Sequence, residues 1–85
     1  MAGTLHSQEY KDVVTELVRV RKAAGLSQAA LAELLGRPPS YVAKVELCER
    51  RLDVVEFFVW LSVISDDPGK LITEIMGKLP KRLPH

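Results

Sequence analysis

Apolar residues recur along the chain at intervals of three and four residues, and Gly or Pro separates the segments that carry them. In the first segment Val13, Leu17, Val20 and Ala24 form one apolar stripe, which predicts a helix from about Ser7 to Ala24. No segment combines alternation of apolar and polar residues with a hairpin turn. The pattern therefore predicts an all-α protein.

Two short helices with a tight turn between them are predicted next. Ser27 is a suitable N-cap for the second helix, which ends at Gly36. The third helix is expected over about Pro39–Leu47, because proline favours the first turn of a helix. The residues expected to face the core are Leu31, Leu34 and Leu35 in the second helix and Val42 and Val45 in the third.

A fourth and a fifth helix complete the predicted fold. Asp53, with Glu56 three residues later, forms a pattern like a capping box at the start of the fourth helix. Asp66 or Asp67 caps the fifth helix, which Pro68 opens. The residues assigned to the core are Val54, Phe57, Leu61 and Ile64 in the fourth helix and Ile72, Ile75, Met76 and Leu79 in the fifth.

Composition indicates one small domain, which we place at 7–79 with flexible ends at 1–6 and 80–85, since 47% of the 85 residues are hydrophobic. The net charge is only +1, but the segment from Tyr10 to Arg51 contains eight Lys and Arg residues and only five Asp and Glu residues. The one cysteine, Cys48, excludes a disulfide framework and a four-ligand zinc site within one chain. A polar N-terminus and short apolar runs lead us to expect a cytoplasmic protein without a membrane span.

No sequence pattern of an enzyme is present. The chain lacks a phosphate-binding glycine loop, an HExxH motif and a nucleophile–base pair. His6 and His85 stand at opposite ends, which leaves no spacing suited to a metal. We therefore expect no catalytic residue, no metal and no cofactor.

The order of short helices, and above all the segment GLSQAALAELLGRPPSYVAKVELCERRLDVVEF at 25–57, resembles the Cro/repressor-type (XRE-like) helix-turn-helix family. The recurring elements are an Arg four residues before a Gly, then Leu-Ser-Gln, Leu-Ala-x-x-Leu-Gly and a Ser-Tyr-Val-x-Lys-Val-Glu helix. The resemblance covers about Arg21 to Ile64. It implies a compact five-helix, lambda-repressor-like domain with its helix-turn-helix at about 27–47. It also implies a DNA-binding transcriptional regulator of repressor or controller type, associated with the nucleoid.

The resemblance makes the third helix the recognition helix, which enters the major groove of double-stranded DNA. The implied base contacts are Ser40, Lys44, Ala43 and Pro39. The implied phosphate contacts are Gln28, Arg37, Tyr41, Arg50 and Arg51. Gln28 would also brace the recognition helix, and Tyr41 could equally buttress the turn. Arg21 and Glu46 are implied to form an ion pair inside the domain.

Four residues of the recognition unit depart from the family pattern. Pro39 stands where the family often has a glutamine that reads bases, and Ala43 stands where Ser or Thr is common. Leu47 replaces a usual polar residue, and Cys48 replaces the usual glycine after the helix, where a side chain costs about 1 kcal/mol. These departures and the small net charge favour an alternative function, a protein-interaction module of anti-repressor or antitoxin-like type with weak or no specific DNA binding.

The fourth helix is apolar nearly all round, whereas a surface helix of a monomer should show a polar face. The residues assigned to a homodimer interface are Val55, Phe58, Val59, Trp60, Ile72 and Met76. Two-fold pairing would set the recognition helices one DNA turn, about 34 Å, apart, which predicts a near-palindromic operator. The alternative is that the fifth helix covers this patch within one chain.

Overall fold

The computed structural model describes residues 7–83, and within that range it contains five α-helices and no strand. The helices are α1 (Gln8–Ala23), α2 (Gln28–Leu35), α3 (Pro39–Glu46), α4 (Val54–Ile64) and α5 (Pro68–Met76). The prediction of an all-α domain is confirmed. The two histidines, the segment 1–6 and residues 84 and 85 lie outside the described residues.

Side-chain caps begin four of the five helices. Ser7, Ser27, Asp53 and Asp67 each accept a hydrogen bond from the backbone N–H three residues later. At α4 the bond is reciprocated, because the Glu56 carboxylate accepts from the Asp53 N–H at 3.0 Å. The capping box read from the sequence is therefore present. Proline takes the place of a side-chain cap at the start of α3.

The backbone turns in the same way after α2 and after α3, but a different type of residue makes each turn. Gly36 after α2 and Cys48 after α3 both have a positive φ, +70° and +61°. At α3 the Cys48 N–H donates to the Val45 carbonyl at 3.0 Å, and the Glu49 N–H donates to the Lys44 carbonyl at 2.9 Å. These two bonds form a Schellman motif, which a glycine normally completes. Cys48 therefore completes this turn in place of a glycine, at the cost of a strained backbone.

The core forms where α4 packs against α1, α2 and α5 and where α3 packs against α1 and α2. The completely enclosed side chains are Leu17, Leu31, Val42, Val45, Trp60 and Leu61. The prediction that Val42 and Val45 face inward is confirmed. This core holds α3 by one side only and leaves the other side of the helix in solvent.

Five predicted core positions are wrong. Leu34 is 61% exposed, and its neighbour Ala32 is buried instead, because α2 is only eight residues long and turns a narrow face to α3. Met76 is 65% exposed, since Leu71 and Ile75 make the buried stripe of α5. Ala24 after α1, Val54 in the first position of α4 and Leu79 beyond the end of α5 are also exposed, because they lie at or past helix ends.

Trp60 is also misassigned by the sequence analysis, which places it in a subunit interface. Its side chain is 1% exposed, and the indole N–H donates to the Tyr41 hydroxyl at 3.2 Å. A buried indole needs such a partner, so Trp60 is a core residue that joins α4 to α3. Of the predicted interface residues in α5, Ile72 is half-buried against the core.

No helix among residues 7–83 is both long enough and apolar enough to cross a membrane.

Candidate nucleic-acid interface

The inner side of α3 is fixed by a buried polar cluster as well as by its valines. The Arg21 guanidinium binds the Glu46 carboxylate twice, from Nε to Oε2 at 2.6 Å and from Nη2 to Oε1 at 3.0 Å. Its Nη1 donates to the Leu26 carbonyl at 2.7 Å, and Gln28 Nε2 donates to Glu46 Oε1 at 2.8 Å. The two charged side chains are only 7% and 8% exposed. This cluster ties α3 to the end of α1 and to the first turn of α2.

The outer side of α3 is open. Pro39, Ser40 and Lys44 are exposed, Ala43 is half-buried, and Leu47, directly after the helix, is 68% exposed. Spacings of three and four residues place these side chains on one side of the helix. The four predicted base contacts thus lie together on the surface, and Leu47 extends the same side.

Tyr41 occupies the inner edge of the turn. It is a buried residue whose hydroxyl donates to Glu56 Oε2 at 3.1 Å and accepts from the Trp60 indole. Burial raises the pKa of the Tyr41 hydroxyl above its usual value of 10.0. Because its hydroxyl is engaged inside the chain, Tyr41 buttresses the turn, and the structure does not favour the alternative role of a phosphate contact.

Two predicted phosphate contacts lie beside the Tyr41 ring. The guanidinium carbons of Arg37 and Arg50 are 5.9 and 4.8 Å from the ring centroid, distances typical of cation–π contact. Arg50 Nη1 also binds Glu56 Oε2 at 2.8 Å, which raises the pKa of the guanidinium. Burial opposes ionisation of Glu56, but the Asp53 N–H and Arg50 lower its pKa overall.

Arg51 is placed by a contact that the sequence analysis missed. Its guanidinium carbon lies 4.5 Å from the centre of the Tyr10 ring, and the Tyr10 hydroxyl accepts from the Leu52 N–H at 3.0 Å. The loop after α3 is therefore attached to the first turns of α1. The separation of Tyr10 from Leu52 in the sequence gives no local signal for this contact.

A second missed cluster stands apart from α3. Glu16, buried on α1, accepts hydrogen bonds from Arg19 and, at 2.9 Å, from Lys78 beyond α5. These two cations lower the pKa of Glu16 from 4.5 to about 2. The three-residue spacing of Glu16 and Arg19 is a detectable helical pattern, but the contact with Lys78 depends on the tertiary fold.

One apolar stripe of α4 faces solvent. Val55, Phe58 and Val59 are exposed, as is Met76 on α5. Val55 and Val59 also border an open groove of about 210 Å³, which Tyr41 and Arg37 line as well. α5 therefore leaves this face of α4 largely uncovered within one chain.

The described residues contain no group of three His, Cys, Asp or Glu side chains placed to hold a metal ion.

α2 and α3 define a helix-turn-helix unit. Ser27 caps α2, and α3 is fixed on one side and open on the other. Comparison with protein-family models matches residues 17–55 to the helix-turn-helix family.

A solved structure extends this likeness to almost the whole chain. An XRE-family like protein from Pseudomonas syringae pv. tomato str. DC3000 is 42% identical, with a TM-score of 0.79, over 91% of this chain and 94% of the other. The search of curated proteins gives no match. This chain belongs to the XRE family of helix-turn-helix proteins, a family of DNA-binding regulators.

Proposed function

We propose that this protein is a sequence-specific transcriptional regulator that binds a near-palindromic DNA operator as a homodimer. The observation that carries the proposal is the asymmetry of α3, whose inner side is locked by the core and whose outer side is open. Lys44 on the open side has the length and charge to donate to guanine O6 and N7, and the Ser40 hydroxyl can bond to either base or phosphate. Ala43 and Pro39 complete the face toward the bases.

Phosphate binding is assigned to groups that flank α3. Arg37 and Arg50 lie beside Tyr41, Arg51 lies on Tyr10, and Gln28 stands in the first turn of α2. Arg50 uses Nη1 for Glu56, and a guanidinium has five N–H donors, so donors remain for a phosphate oxygen. These contacts would set affinity and register, while α3 sets sequence preference.

Dimerisation is supported by the exposed stripe of α4. Val55, Phe58 and Val59, continued by Met76, form an apolar patch of a kind that soluble monomers rarely expose. A two-fold partner would cover this patch and present a second α3 to the next turn of the DNA. The operator would then be near-palindromic, and the protein would be associated with the nucleoid in the cytoplasm.

A salt titration of DNA binding tests the proposed function. Fluorescence polarisation is measured with a duplex enriched from a random-sequence library and with unselected random duplex. We expect affinity to fall steeply and log-linearly with salt for both, and the enriched duplex to bind at least a thousandfold more tightly. Failure to enrich any sequence, with binding independent of salt, would instead favour the protein-interaction function.

A further inference from the structure

The outer side of α3 carries little hydrogen-bonding capacity. Of its five side chains, Ser40 and Lys44 are polar, whereas Pro39, Ala43 and Leu47 have only carbon atoms to offer. Leu47 is 68% exposed, and its side chain is therefore open to a partner. A surface that reads bases with only two polar side chains must obtain further discrimination from apolar contacts.

Leu47 is presented from an anchored backbone. Its N–H donates to the Ala43 carbonyl at 3.0 Å, and the turn at Cys48 closes the helix immediately after it. Ala43 and Leu47 stand four residues apart, which places their side chains next to each other. Lys44 lies beside them on the same side. The two apolar side chains therefore form a fixed ridge next to the one exposed cation of α3.

The charge around this ridge favours nucleic acid as the occupant. The only carboxylate of α3, that of Glu46, is buried and bound to Arg21 and Gln28. Leu47 also borders an open groove of about 390 Å³ between α3 and α1, with Lys11 on its rim. Lys44 and Lys11 thus flank the apolar ridge, and the exposed Glu49 lies two residues beyond it. The two cations suit the wall of a DNA groove.

Base edges in the major groove offer one apolar group, the C5-methyl of thymine, which is recognised by apolar side chains. The same methyl group projects from 5-methylcytosine. We propose that Ala43 and Leu47 form a methyl clamp, which contacts the C5-methyl of a pyrimidine beside the base that Lys44 reads. This inference rests on the proposed function, because it requires α3 to lie in the major groove.

Removal of single methyl groups from DNA tests the clamp. The duplex enriched from a random-sequence library is resynthesised with deoxyuridine for thymine, one position at a time, and separately with 5-methylcytosine for cytosine. We expect one deoxyuridine in each half-site to weaken binding about fourfold, the effect of one buried methyl group. Strengthening by 5-methylcytosine at one cytosine would identify that base as the natural source of the methyl group.

Two variants separate the clamp from a general effect on binding. Leu47→Ala should bind the methylated and unmethylated duplexes alike. Leu34→Ala, which truncates an equally exposed leucine on α2, should keep the full methyl preference. Both positions are exposed, and thermal melting checks that both variants remain folded.

The clamp is overturned if wild-type protein ignores every methyl change, or if Leu47→Ala keeps the wild-type preference. In either case an enriched duplex that still binds with strong salt dependence would leave the proposed function standing. Enrichment of no duplex at all would overturn the proposed function and the clamp together.

Discussion

Arg21 and Glu46 form a bidentate ion pair, 2.6 and 3.0 Å in its two bonds, that joins the end of α1 to the last turn of α3. Both side chains are more than nine-tenths buried, so each charge depends on the other for its stabilisation. The pair fixes α3 from its inner side and leaves its outer side open. Loss of this ion pair should therefore lower the stability of the fold more than it changes the choice of DNA sequence.

Arg21→Ala should lower the free energy of unfolding by about 3–5 kcal/mol, because it leaves the Glu46 carboxylate buried without its partner. Arg21→Met combined with Glu46→Leu should recover much of this loss. Urea unfolding measures both variants. Lys22→Ala serves as the control, since Lys22 is exposed in the last turn of α1 and its loss should cost far less. Unfolding of Arg21→Ala at the wild-type midpoint would contradict the account.

Cys48→Gly should stabilise the protein by about 1 kcal/mol, because glycine adopts a positive φ without strain. Cys48→Ala keeps the Cβ atom and should give no such gain, which separates backbone strain from loss of the thiol. Thermal and urea unfolding of the two variants measure the difference. Equal stability of Cys48→Gly and Cys48→Ala would show that the turn carries no strain.

Because of Glu16, the free energy of unfolding should fall as the solution becomes acidic. Its pKa is about 2 in the folded chain and near the ordinary 4.5 in the unfolded chain, so its contribution is complete above pH 4.5. The contribution is lost as the pH falls from about 4.5 toward 2. Glu16→Gln should therefore be less stable than wild type at pH 7, and the difference should close over this range. Glu33→Gln, at an exposed position of α2, is the control.

A gap between wild type and Glu16→Gln that stays constant from pH 7 to about pH 2 would contradict the assigned ion pairs. Arg19 and Lys78 are both more than half exposed, so solvent screens these pairs and the gap itself should be modest.

Phe58→Glu should split the proposed dimer, because it places a charge in the middle of the apolar stripe of α4. Sedimentation equilibrium at micromolar concentration should show a dimer for wild type and a 9.5 kDa species for the variant. Leu34→Glu, at an exposed position of α2 rather than α4, should remain dimeric. A wild-type protein that sediments as a monomer would contradict the homodimer.

Sequence periodicity and capping residues predict the five helices well, since local signals such as Ser27, Asp53 and Gly36 determine where helices begin and end. The orientation of short helices is less predictable. Eight residues of α2 give two turns, and the choice between Leu34 and Ala32 as the buried side chain is made by α3. Leu34 is therefore a reasonable but wrong core assignment.

The candidate site divides in the same way. Family resemblance supplies the Arg21–Glu46 pair and the open face of α3, which no local pattern would supply. The engagement of Tyr41 with Trp60 and Glu56 depends on how α3 lies on α4, so the sequence leaves the role of Tyr41 open and misplaces Trp60. Contacts of this kind, between residues far apart in the sequence, can be predicted only when the packing of the helices is known.

The most direct test compares Lys44→Ala with wild type on the enriched duplex and on random duplex. If the outer side of α3 reads bases, the variant should lose about 1–3 kcal/mol of discrimination while its binding to random duplex changes little. Arg37→Ala, which removes an assigned phosphate contact, should instead weaken both duplexes alike and reduce the log–log salt slope by about one. Equal weakening of both duplexes by Lys44→Ala would contradict base reading by this residue.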